Sequence, residues 1–196
     1  MNKDTIVNLV LSNVIKHAQE ELLKVPVLRQ TFDYDCGTNA TQTLLGYYGF
    51  DIREEKLLKW LKTDRDKGTD TEDIVKFAES LGFEVIYKNN MTIKELKNWI
   101  KMGHPVIVNI QAWAEDPKTD YSKTIEEGHF VVAIGYGNGK IFFQDPAMMK
   151  HGFLDENEFL ERWRDYDAGS GKKLIQHGIV FTGKEPKNIN QYVRIK

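Results

Sequence analysis

The hydrophobic pattern of the chain changes near residue 104, and this change restricts the fold class. Before it, apolar residues recur at helical spacing in segments that stop at glycines, as in residues 36–48, which precede Gly49. After it, apolar runs of strand length predominate, as in residues 105–111 and 128–136. Helices followed by antiparallel strands are typical of the α+β class rather than of alternating βαβ units. We therefore predict an α+β fold with an antiparallel sheet.

Local signals give approximate bounds for each element. Thr69 and Glu72 have the spacing of a capping box, and residues 137–139 (Gly-Asn-Gly) have the composition of a hairpin turn. An acidic loop is predicted over residues 114–127, where it could shape or cover a groove. Helices are predicted at residues 4–23, 36–48, 54–61, 70–81, 92–101 and 155–164, and strands at 83–87, 105–111, 128–136, 140–145 and 174–182.

Length and composition indicate one domain of ordinary size. The 196 residues are 41% hydrophobic, which is enough to build one core, and no repeat or linker divides them. We therefore expect a helical extension at residues 1–24 and one domain at residues 25–196. The net charge of -2 and the pI near 6.2 argue against nucleic acid as the main partner, because phosphate binding requires an excess of Lys and Arg.

The cysteine count and the hydropathy of the chain limit its surroundings. A single cysteine excludes an internal disulfide and a zinc site built from several cysteines, and it suits a reducing compartment. No apolar run reaches the roughly 18 residues that a membrane span requires. No signal peptide is recognisable, so we expect a cytoplasmic protein without membrane insertion. Neither a His-x-x-x-His nor an EF-hand spacing occurs, and no metal or organic cofactor is expected.

The segment that surrounds the single cysteine is the most informative for function. Cys36 stands where a loop becomes a helix, and there unpaired backbone N–H groups and the helix dipole stabilise a thiolate. Gly37 allows a substrate to approach the backbone closely. The N–H of Cys36 and the side-chain amide of Gln30 could together hold a developing oxyanion. A lone cysteine is more often a small buried hydrophobe, but the polar, glycine-flanked surroundings favour a nucleophile here.

A thiolate nucleophile requires an imidazole partner and a group that orients the ring. Of the five histidines, His129 is the best candidate, because it follows Gly128 and opens an apolar strand. Asp145 ends the next strand and would face His129 across the hairpin, although an Asp-Pro pair alone indicates only a turn. The other four histidines are interpreted as structural or solvated: His17, His104, His151 and His177.

These motifs together resemble a known family of enzymes. Residues 35–37 (Asp-Cys-Gly), 128–132 (Gly-His-Phe-Val-Val) and 145–146 (Asp-Pro), with Gln30 upstream, are similar to the papain-like peptidases that cut double-glycine leader peptides from bacteriocins. The resemblance covers about residues 25–165. It implies a papain-like fold, with Cys36, His129 and Asp145 as a triad and Gln30 in the oxyanion hole. Members are usually fused to ABC exporters; no exporter follows here, so a free-standing member is expected.

The sequence thus predicts a cysteine peptidase or amide hydrolase that acts on a peptide or peptide-like substrate by thiolate acyl transfer. Two alternatives stay open. The same triad could deliver the acyl group to an amine or cleave an isopeptide bond, or the chain could be a catalytically weak module that binds peptides on a peptidase fold. Substrate identity and oligomeric state are not indicated by the sequence.

Overall fold

A computed structural model describes residues 21–187 of the chain. Five helices and nine strands lie in this range. The helices are α1 (Cys36–Tyr47), α2 (Glu54–Trp60), α3 (Thr71–Ser80), α4 (Ile93–Lys101) and α5 (Glu156–Arg162). The strands are β1 (Glu21–Leu22), β2 (Glu84–Lys88), β3 (Val106–Gln111), β4 (Gly128–Gly137), β5 (Lys140–Gln144), β6 (Gly152–Asp155), β7 (Arg164–Tyr166), β8 (Lys173–Ile175) and β9 (Gly178–Thr182).

One antiparallel sheet organises the described part of the chain. Its strand order is β2-β9-β3-β4-β5-β6, and β1 pairs with the end of β4. A separate two-stranded sheet joins β7 and β8. The predicted α+β class with an antiparallel sheet is confirmed. Because β3 and β4 are central, helices cover both of their faces, and β3 is buried along its whole length.

Two apolar clusters lie on opposite faces of the sheet. On one face, α1 and α3 pack against alternate residues of β4, namely Phe130, Val132 and Ile134. On the other face, α4 and α5 pack against Val131 and Ala133. Successive side chains of a strand point to opposite faces, so an unbroken apolar run is needed to fill both clusters.

The end of α1 is fastened to the sheet by an aromatic side chain. The Tyr48 hydroxyl donates to the Phe181 carbonyl at 2.7 Å and lies 3.0 Å from His104 Nδ1. Gly49 then takes a positive φ of 83°, which ends the helix as its sequence position predicts. The buried hydroxyl thus fixes α1 relative to β9.

Several predicted elements are confirmed in outline. The hairpin between β4 and β5 turns at Asn138 and Gly139, both with positive φ, as a type I′ turn requires. Thr92 caps α4 in a capping box with Glu95. Residues 112–127 form neither helix nor strand, in agreement with the predicted loop.

Other details differ from the sequence prediction. Asp70, and not Thr69, caps α3, because its carboxylate accepts the Glu72 N–H while Thr69 is buried beside α1. The strand predicted at 174–182 is two strands, β8 and β9, separated at Gln176, whose φ is 46°. Strands β6 and β7 were not predicted.

The predicted helix at residues 4–23 lies mostly outside the described residues. Its last part is a strand instead, because Glu21 and Leu22 pair with Tyr136 and Gly135. In residues 21–187, every helix is too short or too polar to cross a bilayer.

Replacing Tyr48 with Phe tests the attachment of α1 to the sheet. The change leaves the buried Phe181 carbonyl without its hydrogen-bond donor, so we expect a loss of about 1–3 kcal/mol in the free energy of unfolding. Urea denaturation followed by circular dichroism measures it. The control is Tyr87→Phe on the exposed side of β2, which should stay within about 0.5 kcal/mol of the wild type. Equal losses in both variants would contradict the assigned role of the Tyr48 hydroxyl.

Candidate active site

Cys36 is the first residue of α1, as the sequence predicts. Asp35 occupies the N-cap position, but its side chain does not cap the helix; Oδ2 instead accepts the Phe32 N–H at 3.2 Å. Burial and the charge of Glu54 raise the pKa of Asp35 to about 6. The first turn of α1 contains no acidic residue. The N–H groups at this helix end therefore remain available to an anion beside Cys36.

A cleft of about 390 Å³ opens beside Cys36. The residue after Cys36 must be a glycine here, because a Cβ on Gly37 would come within 2.7 Å of Thr69 Cβ and 3.1 Å of the Phe130 ring. Thr69 is held in turn by the hydroxyls of Thr38 and Thr63, at 3.3 and 3.0 Å. The glycine after the nucleophile thus serves close packing of α1 against the wall of the cleft.

The strand register brings His129 and Asp145 together. His129 is the second residue of β4 and pairs with Ile110 of β3. On the other side of β4, Gln144 pairs with Val132, so Asp145 continues β5 toward the start of β4. His129 Nε2 lies 2.7 Å from Asp145 Oδ1, and both residues are buried. Since Nε2 is engaged by Asp145, the Nδ1 atom is the ring nitrogen available to Cys36.

The electrostatics of this group favour an imidazolium. His129 is 7% exposed, and this burial lowers its pKa. Hydrogen bonds to Asp145 and Cys36 have the opposite, stronger effect and raise the pKa to about 10. Burial would raise the pKa of Asp145, yet the hydrogen bond from His129 and the other donors around its carboxylate hold it below the usual value. The His129 imidazolium and the Asp145 carboxylate thus form a buried ion pair.

Trp113 is a member of this group that sequence reasoning missed. Its indole Nε1–H donates to Asp145 Oδ2 at 3.0 Å, while the Ala147 N–H and His129 share Oδ1. Trp113 has a φ of 62°, which is rare for a bulky residue, and a conformation of this kind costs about 1–3 kcal/mol. It is also 56% exposed. No local motif marks it, because its partner lies 32 residues away in the sequence.

Gln30 lies on the segment that runs beside the Asp145 turn. Its backbone N–H donates to the Pro146 carbonyl at 2.9 Å, and its side-chain amide donates to the Phe32 carbonyl at 2.6 Å. The structure thus brings Cys36, His129 and Asp145 into contact, while the Gln30 amide bonds to the loop before Cys36. An amide carries two N–H groups, so one remains for another acceptor.

The loop at 112–127 borders the cleft and is fastened to β7. The Arg164 guanidinium donates to the carbonyls of Tyr121 and Thr124, at 2.9 and 3.3 Å. The Arg162 guanidinium lies 3.9 Å from the centre of the Tyr121 ring. Glu126 at the end of the loop lines the cleft. The expectation that this loop shapes the groove is consistent with its position.

A second residue that the sequence did not reveal is Asp165 on β7. It is 8% exposed and lines the cleft together with Cys36 and Gly128. A Cβ on Gly128 would come within 2.3 Å of its Oδ1 and 2.4 Å of its Oδ2. The carboxylate therefore occupies the space that a side chain at position 128 would fill.

The remaining described histidines lie outside the cleft. His104 contacts the Tyr48 hydroxyl, and His177 is buried with Nδ1 at 3.4 Å from Asn109 Oδ1. His151 is exposed and borders an apolar cavity of about 440 Å³ near Trp113. His17 lies outside the described residues. Among residues 21–187, no group of three or more His, Cys, Asp and Glu side chains is arranged to hold a metal ion.

Comparison with known proteins assigns these residues to a family. The model of the Peptidase C39 family matches residues 24–168, which include Cys36, His129 and Asp145. A search of curated proteins found no match.

Solved structures of similar fold are peptidases. A C39-like peptidase from Bacillus anthracis is 18% identical with a TM-score of 0.64, over 86% of this chain and all of that one. The peptidase domain of Streptococcus ComA, a bifunctional ABC transporter of a quorum-sensing pathway, is 21% identical with a TM-score of 0.58, over 81% of this chain and 97% of that one. A double-glycine-motif protease from an AMS/PCAT transporter was solved in complex with the leader peptide. It is 20% identical with a TM-score of 0.58, over 82% of this chain and 92% of that one. At these identities the likeness concerns the fold.

The pH dependence of thiol alkylation tests the pairing of Cys36 with His129. Because the pKa of His129 is raised to about 10, its positive charge persists beside the sulfur at neutral pH. We expect iodoacetamide to react rapidly with Cys36 at neutral pH and below, since an imidazolium stabilises the reactive thiolate. In His129→Ala the rate should rise only near the ordinary thiol titration at about pH 8.5.

The chain has one cysteine, so mass spectrometry follows a single reaction. The control is His151→Ala, which changes an exposed histidine and should leave the profile unchanged. A wild-type rate that rises only near the ordinary thiol titration would contradict the pairing.

Proposed function

Since the chain belongs to the Peptidase C39 family, we propose that it is a cysteine peptidase in which Cys36 is the nucleophile, His129 the acid and base, and Asp145 the group that orients His129. The observation that carries the proposal is the chain of contacts from Cys36 through His129 to Asp145, with 2.7 Å between the last two. A thiol, an imidazole and a carboxylate in this order can perform acyl transfer.

The reaction takes place in two halves. The Cys36 thiolate attacks the carbonyl carbon of the substrate, and the carbonyl oxygen becomes an oxyanion. The C–N bond then breaks as His129 gives its proton to the leaving amine, and a thioester remains on Cys36. In the second half, His129 takes a proton from water, which attacks the thioester and releases the carboxylic acid and the thiolate.

Two groups would stabilise the oxyanion. One is the backbone N–H of Cys36 at the start of α1, and the other is the side-chain amide of Gln30. The Gln30 amide already bonds to the Phe32 carbonyl at 2.6 Å, which restricts its rotation and leaves its second N–H for the oxyanion. A donor that is fixed before the reaction begins requires no reorganisation during the reaction.

A peptide is the proposed substrate class. One similar protease was solved with a leader peptide bound, and an open cleft beside Cys36 suits an extended chain better than an enclosed small molecule.

Removal of the nucleophile and of the oxyanion donor tests the mechanism. Cys36→Ala should abolish the cleavage of any peptide that the wild type cleaves. Gln30→Ala should lower kcat about a hundredfold, because one oxyanion donor is lost. Liquid chromatography with mass spectrometry measures the products, and added amines reveal any transfer to an amine. Full activity in Gln30→Ala would contradict the oxyanion assignment, and turnover by Cys36→Ala would overturn the proposal.

Replacing Trp113 with Phe tests the support of Asp145. The variant keeps an aromatic ring but removes the N–H that holds Oδ2. We expect kcat to fall about threefold to tenfold, the effect of one hydrogen bond, with KM unchanged. The control is Trp99→Phe on α4, which packs against the second apolar cluster without a hydrogen bond to Asp145 and should keep the wild-type kcat. A change in KM alone would indicate that Trp113 contacts substrate instead of positioning Asp145.

A further inference from the structure

The carboxylate of Asp165 is the buried ionisable group of the cleft that the proposed reaction does not use. It lines the same cavity as Cys36, and both of its oxygens lie against the backbone of Gly128, the residue before His129. A substrate side chain that enters this cavity beside Cys36 can therefore reach Asp165. No motif in the sequence assigned it a role.

The contacts of Asp165 leave its negative charge incompletely balanced. Oδ1 accepts the Tyr166 N–H at 2.8 Å and lies 3.5 Å from Gln111 Nε2, and both donors are neutral. Among the ion pairs of residues 21–187, none includes Asp165. Burial raises its pKa to about 6, against the opposing effects of the Tyr166 N–H, of the neutral Asn109 and Gln111 side chains and, last, of the His129 charge. The group is thus mostly ionised at neutral pH.

A buried carboxylate without a paired cation is costly, and an incoming cation relieves that cost. The rim of the cleft carries charges of both signs, with Arg65 and Lys67 beside Asp33, Asp66 and Glu126. Those side chains are exposed or partly exposed, so solvent screens them. Asp165 differs from them because it is buried close to the nucleophile.

We infer that Asp165 is a specificity residue that selects substrates with an ammonium or guanidinium group on a residue near the scissile bond. Such a cation would enter the cleft beside Cys36 and bond to the carboxylate, in a charge-assisted hydrogen bond that a neutral side chain cannot form. The inference rests on the proposed peptidase function, since it names the substrate class of the same site.

The charge preference of Cys36 toward small reagents tests the inference without any peptide. The probes are methyl methanethiosulfonate, which is neutral, and its aminoethyl and sulfonatoethyl analogues, which carry a positive and a negative charge. All three form a disulfide with the single cysteine, and mass spectrometry gives each rate. We expect Asp165→Asn to lower the ratio of the cationic to the neutral rate about fivefold, because one nearby partly desolvated charge is lost.

The matched control is Asp66→Asn, which removes the same charge from the exposed rim of the cleft. Its ratio should change by less than about twofold, because exposed charges are screened. An equal change in the two variants, or an unchanged ratio in Asp165→Asn, would overturn the inference.

Peptide cleavage provides a second test of the role of Asp165. Starting from a peptide that the wild type cleaves, lysine and norleucine are compared at each of the residues that flank the cut. The wild type should prefer lysine at one position about tenfold in kcat/KM, as expected for a charge-assisted contact, and Asp165→Asn should lose that preference. No preference at any position, or the same preference in the variant, would overturn the inference. If no peptide is cleaved, the peptidase proposal fails, while the reagent ratios still report on Asp165.

Discussion

The packing of α1 against one face of β4 holds together the two halves of the site. Ala40 and Leu44 of α1 are fully buried in the cluster that includes Phe130 and Val132. Cys36 belongs to the helix and His129 to the strand, so their contact exists only while this apolar face stays buried. The hydroxyl of Tyr48 adds a directional constraint, because it ties the far end of α1 to β9.

Burial has a second effect, which is electrostatic. The apolar surroundings of His129 would favour a neutral ring, but the nearby Asp145 and Cys36 reverse that preference and raise its pKa. Asp145 can act in this way because His129, Ala147 and Trp113 all donate to it. The same burial leaves Asp165 as a negative charge with neutral donors. The burial of His129, Asp145 and Asp165 thus underlies both the proposed chemistry and the proposed selectivity.

Much of the site could be read from local sequence. Cys36 at a helix start, His129 at a strand start and Asp145 after the hairpin were predicted at the positions that the structure gives them. Each is marked by a local signal, such as Gly37 or the turn at Asn138. Their catalytic roles, like that of Gln30, stay predictions. The helix cap at Thr69 was wrong, because Asp70 carries the same kind of signal and Thr69 is needed for packing beside Gly37.

The sequence alone determined the α+β class, the extent of α1 and the hairpin that carries His129 and Asp145, because helix stops, turn residues and apolar periodicity act over a few neighbouring residues. Only the tertiary structure decided that Trp113 holds Asp145, 32 residues away, and that Asp165 lies against Gly128. These contacts join segments that are distant in the sequence, and no local pattern specifies which segments become neighbours. The division of residues 174–182 between two sheets has the same cause, because partner strands decide where an apolar run is interrupted.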